Sequence, residues 1–436
     1  MAVNTLTRSV VKSPLLLDIS RLIWRARRRG PTGIDRVELA YALHFLTGET
    51  DRQVLAVLHV GGFLIAPSPR GARRFVQHLA KRWEGAEPAS GRSRWRAIVR
   101  TYAHLLCCAW RFGPWLRQRL GRYDGAPIFL VVSHHHVGRD HTIARIRRKL
   151  GAKTACFIHD LIPIEYPEYF QPGWEARYRR LASNVGRLFD AAIANSDSTA
   201  RALKNCLQSE AAQPPTQIRI RTVPLGVESK RPRPTVECSA ADHRYFVVLG
   251  TIEPRKNHLL LLNLWTRLAS AMARPPGLLV IGARGWENEQ VIDMLERSRR
   301  LRGLVEEHNG LSDAEVENLL CGARALLLPS FAEGFGLPLA EALAAGTPVI
   351  CSDIPVFREL GREVPEYLDP FDLNAWSAAV LDYSPRESSR RAAQLERLAC
   401  WRAPRWSEHF AAVEQVLGGL DGERQVTDTA AAARAV

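Results

Sequence analysis

The sequence predicts an α/β protein made of two doubly wound parallel sheets that face each other across a cleft. Three observations carry that expectation. At 436 residues the chain is too long for a single hydrophobic core, so two domains are the starting point. Short apolar runs alternate with amphipathic segments of helical period, first over 15–223 and again over 245–381, which is how parallel α/β layers are written in sequence. Between the two series, residues 224–242 turn to Pro, Lys, Arg and Ser without periodicity, as a linker does. The expected division is a first domain over 1–228, a linker over 229–244, a second domain over 245–420 and a polar, Ala-rich tail over 421–436.

In the first series the expected strands are 15–18, 54–58, 128–132, 154–158, 191–194 and 218–223. The expected helices are 34–46, 142–150, 174–188 and 197–207, the last capped by Ser196. Residues 84–125 interrupt the alternation as a basic helical insertion. In the second series the strands are 245–249, 278–281, 303–307, 325–328 and 348–351. Its helices are 259–272, 287–299, one capped by Ser312 or Asp313, then 339–345 and 373–381.

Hydrophobic content of 46% and charged content of 24% lie at globular averages. No apolar stretch approaches the ~18–20 residues a membrane span needs. Residues 1–14 lack the apolar centre and small-residue cleavage site of a signal peptide, so a cytoplasmic location is expected. The eight cysteines are scattered, with no Cys-x-x-Cys pair and no His at ligand spacing, which favours reduced core residues and no metal site.

The net charge of +15 is unevenly placed: residues 1–125 hold 22 Lys and Arg against 8 Asp and Glu. One cluster is Arg21, Arg25, Arg27, Arg28 and Arg29; a second, over 92–122, is interleaved with Trp95, Trp110, Phe112 and Trp115. Basic residues with aromatics suit an anionic membrane surface, met peripherally at its inner face, or a lipid-linked substrate. A solvated arginine face accounts for them equally well. Nucleic acid is not expected, because no recognition motif accompanies the charge.

The segment 250–258, Gly-Thr-Ile-Glu-Pro-Arg-Lys-Asn-His, lies where a strand ends and a helix begins. Ligands of doubly wound sheets bind at strand carboxyl ends, and a helix N-terminus there favours an anion. Arg255 and Lys256 add two cations suited to phosphate. The segment from Phe331 to Pro348 follows another strand, with Gly334 and Gly336 leaving backbone N–H groups open, Pro338 opening a helix and Gly346 closing it. Glu333 falls in the loop and Glu341 within the helix, where its carboxylate can reach hydroxyls such as a ribose diol; a solvated polar helix face is the plain alternative.

In the first half, Gly33 lies in a Gly-containing loop, 30–36, after the first strand and so lets a phosphate approach the backbone. His159 ends a strand beside Asp160. His134, His135 and His136 are consecutive and cannot all face one ion from a strand, so they are read as a loop feature.

These motifs resemble glycosyltransferase family 4, retaining enzymes of the GT-B fold, which places two Rossmann-like domains across a cleft. The stretch from Glu333 through Gly-Phe-Gly-Leu to Glu341 is similar to that family's E-x7-E motif, and Asp353, Ile354, Pro355, Val356, Glu359 and Leu360 extend the likeness. It covers 245–375 strongly, 13–60 and 155–228 weakly, and fails over 65–125. The resemblance implies that Glu333 contacts donor-sugar hydroxyls and Glu341 the nucleotide ribose. It implies that backbone groups of Phe335, Gly336 and Leu337 meet the sugar and diphosphate, that Lys256 binds the diphosphate, and that His159 contacts the sugar. Asn195, Ser196 and Asp197 match a third element of the first domain. The loop 284–287, with Arg284, matches base contacts. Many members carry Arg directly after the strand glycine, where this chain has Thr251; Arg255 stands in as the replacement charge.

The expected activity is metal-independent, retaining transfer of a hexose from a nucleotide sugar with no further cofactor. No Asp-x-Asp element follows a strand to hold a divalent cation. The motif forms look most like bacterial polysaccharide and O-antigen mannosyltransferases, so GDP-mannose is the favoured donor and a polysaccharide or lipid-linked oligosaccharide the acceptor. A UDP-sugar transferase, a nucleotide-sugar epimerase, a retaining glycosidase and a non-enzymatic basic scaffold are the alternatives.

Overall fold

The computed structural model describes residues 12–28, 30–48, 50–60, 63–84, 96, 98–103, 118, 120, 125–138, 140–209, 218–227 and 245–421. The expected linker over 229–244, the tail beyond 421 and most of the basic insertion, including Arg92, Arg94, Trp95, Trp110 and Trp115, lie outside them.

Strands β1 (Leu15–Asp18), β2 (Val54–Val60), β3 (Phe63–Ile65), β4 (Ile128–Val131), β5 (Lys153–Ile158), β6 (Ala191–Ala194) and β7 (Arg219–Thr222) form one sheet in the order β3-β2-β1-β4-β5-β6-β7. All its pairings are parallel except the β2–β3 hairpin at one edge. Strands such as β5 are apolar and buried on both faces, because helices cover both. The helix Pro69–Glu84, not among the expected elements, buries Ala72, Phe75, Val76, Leu79 and Trp83 at helical spacing.

A second, wholly parallel sheet holds β8 (Tyr245–Leu249), β9 (Gly277–Ile281), β10 (Val305–His308), β11 (Leu326–Leu328), β12 (Val349–Ser352) and β13 (Glu366–Leu368) in the order β10-β9-β8-β11-β12-β13. Each sheet has a separate apolar cluster on each face. Ser312 caps its helix through a reciprocal bond pair with Glu315.

One helix departs from the expected division. Trp406–Gly418, placed by sequence in the second domain, packs in the core of the first, where Phe410, Val413 and Leu417 join Tyr41 and Phe45. Arg52 anchors its end through Asp421 at 2.7 Å. His409 Nδ1 donates to the Pro224 carbonyl at 2.8 Å, and its Nε2 meets the Tyr41 hydroxyl at 2.9 Å. The amphipathic pattern of this helix does not say which core receives it.

Candidate active site

Each sheet reverses its strand order at one point, between β1 and β4 in the first and between β8 and β11 in the second. Connections leave neighbouring strands there toward opposite faces, so a crevice opens at the strand ends. The loops after β8 and β11 carry Lys256 and Glu333. The segments after β1, β4, β5 and β6 carry Arg36 and His134, each in the first turn of a helix, and His159 and Asn195. Arg36, His159, Asn195, Lys256 and Glu333 meet around a cavity of about 400 Å³ shared by both domains, with His134 behind His159.

The chain leaving β8 makes a 3₁₀ turn, Pro254–Lys256, before the helix His258–Ala271 begins. The turn folds Lys256 back over the strand end, where Gly250 at φ 144° leaves room; a Cβ there would lie 3.3 Å from Lys256 Cε. The Lys256 ammonium meets Glu333 Oε1. Arg255 donates to Glu333 Oε2 and to the Ala332 carbonyl, each at 2.9 Å, and lies 2.6 Å from the buried Glu253. Ser330 Oγ donates to Glu333 Oε1 at 2.8 Å. Burial opposes ionisation of Glu333, but the charges of Lys256 and Arg255 outweigh it and hold the carboxyl down at about 2. Glu333 is therefore an anion at neutral pH, and both cations are fixed in place by it.

The second wall closes on this group. A Cβ on Gly334 would lie 2.3 Å from the His159 carbonyl oxygen, so only glycine permits this approach. Ser196 Oγ donates to the Gly334 carbonyl at 2.7 Å and accepts from Thr199 N at 3.0 Å, serving as both cap and cross-domain bond. Asn195 Nδ2 donates to the His159 carbonyl at 2.7 Å, leaving its buried Oδ1 without a partner.

His159 Nε2 lies 2.8 Å from the Val132 carbonyl, which can only accept, so the network assigns the proton to Nε2. His159 N–H donates to His134 Nε2 at 3.0 Å. His134 is thus part of the site, in a short helix His134–Val137 rather than the expected loop. Burial lowers His159 to about 4 and also lowers His134, so both are neutral at pH 7. Beside them, burial, only partly offset by Arg255, raises Asp160 to about 6.

The helix Leu337–Ala344 starts behind Gly336 at φ 88°, where any side chain would also meet the Phe357 ring at 2.9 Å. Its opening turn, with Phe335, Gly336 and Leu337, lines the cavity, as does Gly33 opposite. Glu341 accepts from Arg36 Nη1 at 2.7 Å across the cleft, and Arg36 Nη2 donates to Asp313 at 2.6 Å. Burial raises the Glu341 carboxyl, and Arg36 only partly offsets this.

Of the candidate site residues read from the sequence, Gly33, His159, Asn195, Thr251, Arg255, Lys256, Glu333, Phe335, Gly336, Leu337 and Glu341 line the cavity, and Ser196, Asp197 and Arg284 do not. The Arg284 guanidinium is held by Glu307 at 2.7 Å and Glu296 at 2.6 Å, outside that lining. Its neighbour Trp286 turns to the first domain instead, donating to the Tyr169 carbonyl at 3.2 Å and stacking on Trp174 at 5.9 Å. Arg21 and Arg25, expected on a basic surface, serve an internal role: each Nε donates to the buried Asp35 at 2.9 Å. Arg36 was not singled out in the sequence. Its signal is its spacing, three residues after Gly33 on the same helix face.

Two facing parallel sheets with this constellation between them form the GT-B architecture. Residues 236–369 match the family of glycosyl transferases group 1. Two curated relatives come from Escherichia coli. O-antigen chain mannosyltransferase B is 34% identical over 42% of this chain and 49% of its own. Serotype-specific mannosyltransferase WbdA is 29% identical over 50% of this chain and 28% of its own. The chain spans half or less of the length of these relatives. Among solved structures, Anabaena Alr3699/HepE in complex with UDP and glucose aligns with a TM-score of 0.60 at 14% identity, over 93% of this chain and 99% of that one, which shows the shared fold. The chain has the GT-B fold and resembles polysaccharide mannosyltransferases.

Proposed function

We propose that the chain is a glycosyltransferase that moves a hexose, mannose in the favoured case, from a nucleoside diphosphate donor to a polysaccharide or lipid-linked acceptor. The carrying observation is that Lys256 and Arg255 converge on Glu333 at the switch point of the second sheet, directly against His159 of the first. The names of the curated relatives favour mannose. GDP-mannose is the proposed donor, and a UDP-sugar the second.

In this reading the bond from the sugar's anomeric carbon to the phosphate oxygen breaks, and the electron pair leaves with the diphosphate. Lys256, Arg255 and the N–H groups opening the helix at Leu337 stabilise that charge, each preorganised group lowering the barrier by about 3–4 kcal/mol. These cations give the leaving group its counter-charge without a divalent ion. Glu333, ionised throughout, accepts from sugar hydroxyls. The acceptor hydroxyl attacks from the face the diphosphate leaves and passes its proton to the departing oxygen, so configuration is retained. Neutral His159 orients the sugar. An anionic inner membrane surface is the proposed setting. No helix among the described residues is long and apolar enough to cross a membrane.

A thermal-shift panel of GDP-, UDP-, ADP- and TDP-sugars tests the donor, since binding stabilises the folded chain by mass action. A shift with GDP-mannose is expected for the wild type, and a loss of transfer of about 100-fold or more for Lys256→Ala and Glu333→Gln. A shift with a UDP-sugar alone would overturn the mannose assignment. Transfer that a chelator abolishes and manganese restores would overturn the metal-free mechanism.

A further inference from the structure

More carboxylates than cations line the cavity: Arg36, Arg255 and Lys256 stand against Asp160, Asp313, Glu317, Glu333 and Glu341. A diphosphate cannot enter such a site on spare positive charge. It has to draw cations out of existing pairs. In the second domain Glu333 already holds Lys256 and Arg255. The remaining cation comes from the other domain: Arg36, whose two terminal nitrogens are divided between Glu341 and Asp313.

Arg36 is well supported for such a role. It lies in the first turn of the helix Gly33–Thr47, which is held by Asp35. That buried carboxylate accepts from Thr32 N at 2.9 Å, from Thr32 Oγ1 at 2.7 Å and from Arg21 and Arg25. The helix start cannot drift, while the Arg36 guanidinium, about one-third exposed, faces the cavity. Thr251, at the start of the loop after β8, lines the cavity with no charge of its own.

We propose that Arg36 is a donor-binding residue supplied by the first domain, which exchanges Glu341 for the diphosphate when the nucleotide binds. The exchange rests on the functional reading above and on the ribose contact that the family resemblance implies for Glu341. Ribose hydroxyls donating to Glu341 replace the bonds from Arg36. The freed guanidinium stays tethered by Asp313 and turns its planar fork onto the phosphates, for which it is better matched than an ammonium. The cross-domain pair of Arg36 and Glu341 is then a placeholder for the nucleotide.

Calorimetric titration of the full chain with guanosine, GDP and GDP-mannose separates this from a plain structural latch. For Arg36→Gln, which keeps much of the side-chain shape, GDP affinity is expected to fall about 10-fold or more. Guanosine affinity should hold or improve, because Glu341 is no longer occupied. Arg36→Lys, which keeps the charge but not the fork, should recover part of the GDP affinity. An equal change for guanosine and GDP, or no change for either, would overturn the proposal. If wild type binds none of the three and also fails with UDP, the functional reading falls with it. If wild type binds GDP and the ratio of GDP to guanosine affinity survives Arg36→Gln, only the Arg36 role falls.

Discussion

Glu333 and Asp160 show how position alone gives two carboxylates opposite behaviour. Both meet a burial penalty, but Glu333 touches two cations and stays ionised, whereas Asp160 is pushed up from 3.8 to about 6. A carboxyl raised on folding binds its proton more tightly in the folded chain. Between pH 4 and 6 the folded state therefore carries more protons at this site, and its stability contribution is lost as pH rises through that window. The effect is about 3 kcal/mol at most. Asp160→Asn removes it. In urea unfolding the variant should gain on wild type as pH goes from 4 to 7, and a constant gap would contradict this account.

Among the elements, the strand-end loops hold the site because glycine brings backbones together where a side chain would hold them apart. Gly334 is the decisive case, since an added Cβ would press into the His159 carbonyl. Gly334→Ala is expected to cost about 1–3 kcal/mol of stability by overpacking, and more than 10-fold in transfer, because a displacement of about 1 Å at the reacting centre is that costly. Circular dichroism should report an unchanged fold alongside the loss. Gly33→Ala, whose Cβ meets only the flexible Leu337 Cδ1 at 3.3 Å, should cost much less in the same assay.

For the whole molecule, the helix Trp406–Gly418 works as a strap. It leaves the second domain and completes the core of the first, so the two halves share part of their stability. Phe410 stacks on His44 with ring centres 3.9 Å apart and is 6% exposed. Phe410→Ala should destabilise the chain by about 3–5 kcal/mol in urea unfolding. Amides of the helix Gly33–Thr47 should exchange faster in that variant, although their own sequence is untouched. Burial lowers His409 to about 4. The strap's contribution therefore rises with pH between 4 and 6.5, and acidification through that range should weaken it first.

Much of this protein is legible without coordinates, because local rules suffice for it. Alternating apolar runs place the strands, and the expected 174–188 and 191–194 coincide with the elements found. Strand-end position marks Lys256, Glu333 and His159, since topology requires ligands to bind there. What local rules cannot supply is who stands opposite. Arg36 closes the Gly-containing loop motif with no role of its own until the fold sets Glu341 and Asp313 before it. Arg284 reads as a base contact, and only the fold shows that Glu307 and Glu296 pair with it. The helix Trp406–Gly418 reads as part of the nearer domain until Tyr41 and Arg52 receive it. Those outcomes depend on contacts between residues hundreds of positions apart, which periodicity and spacing do not encode.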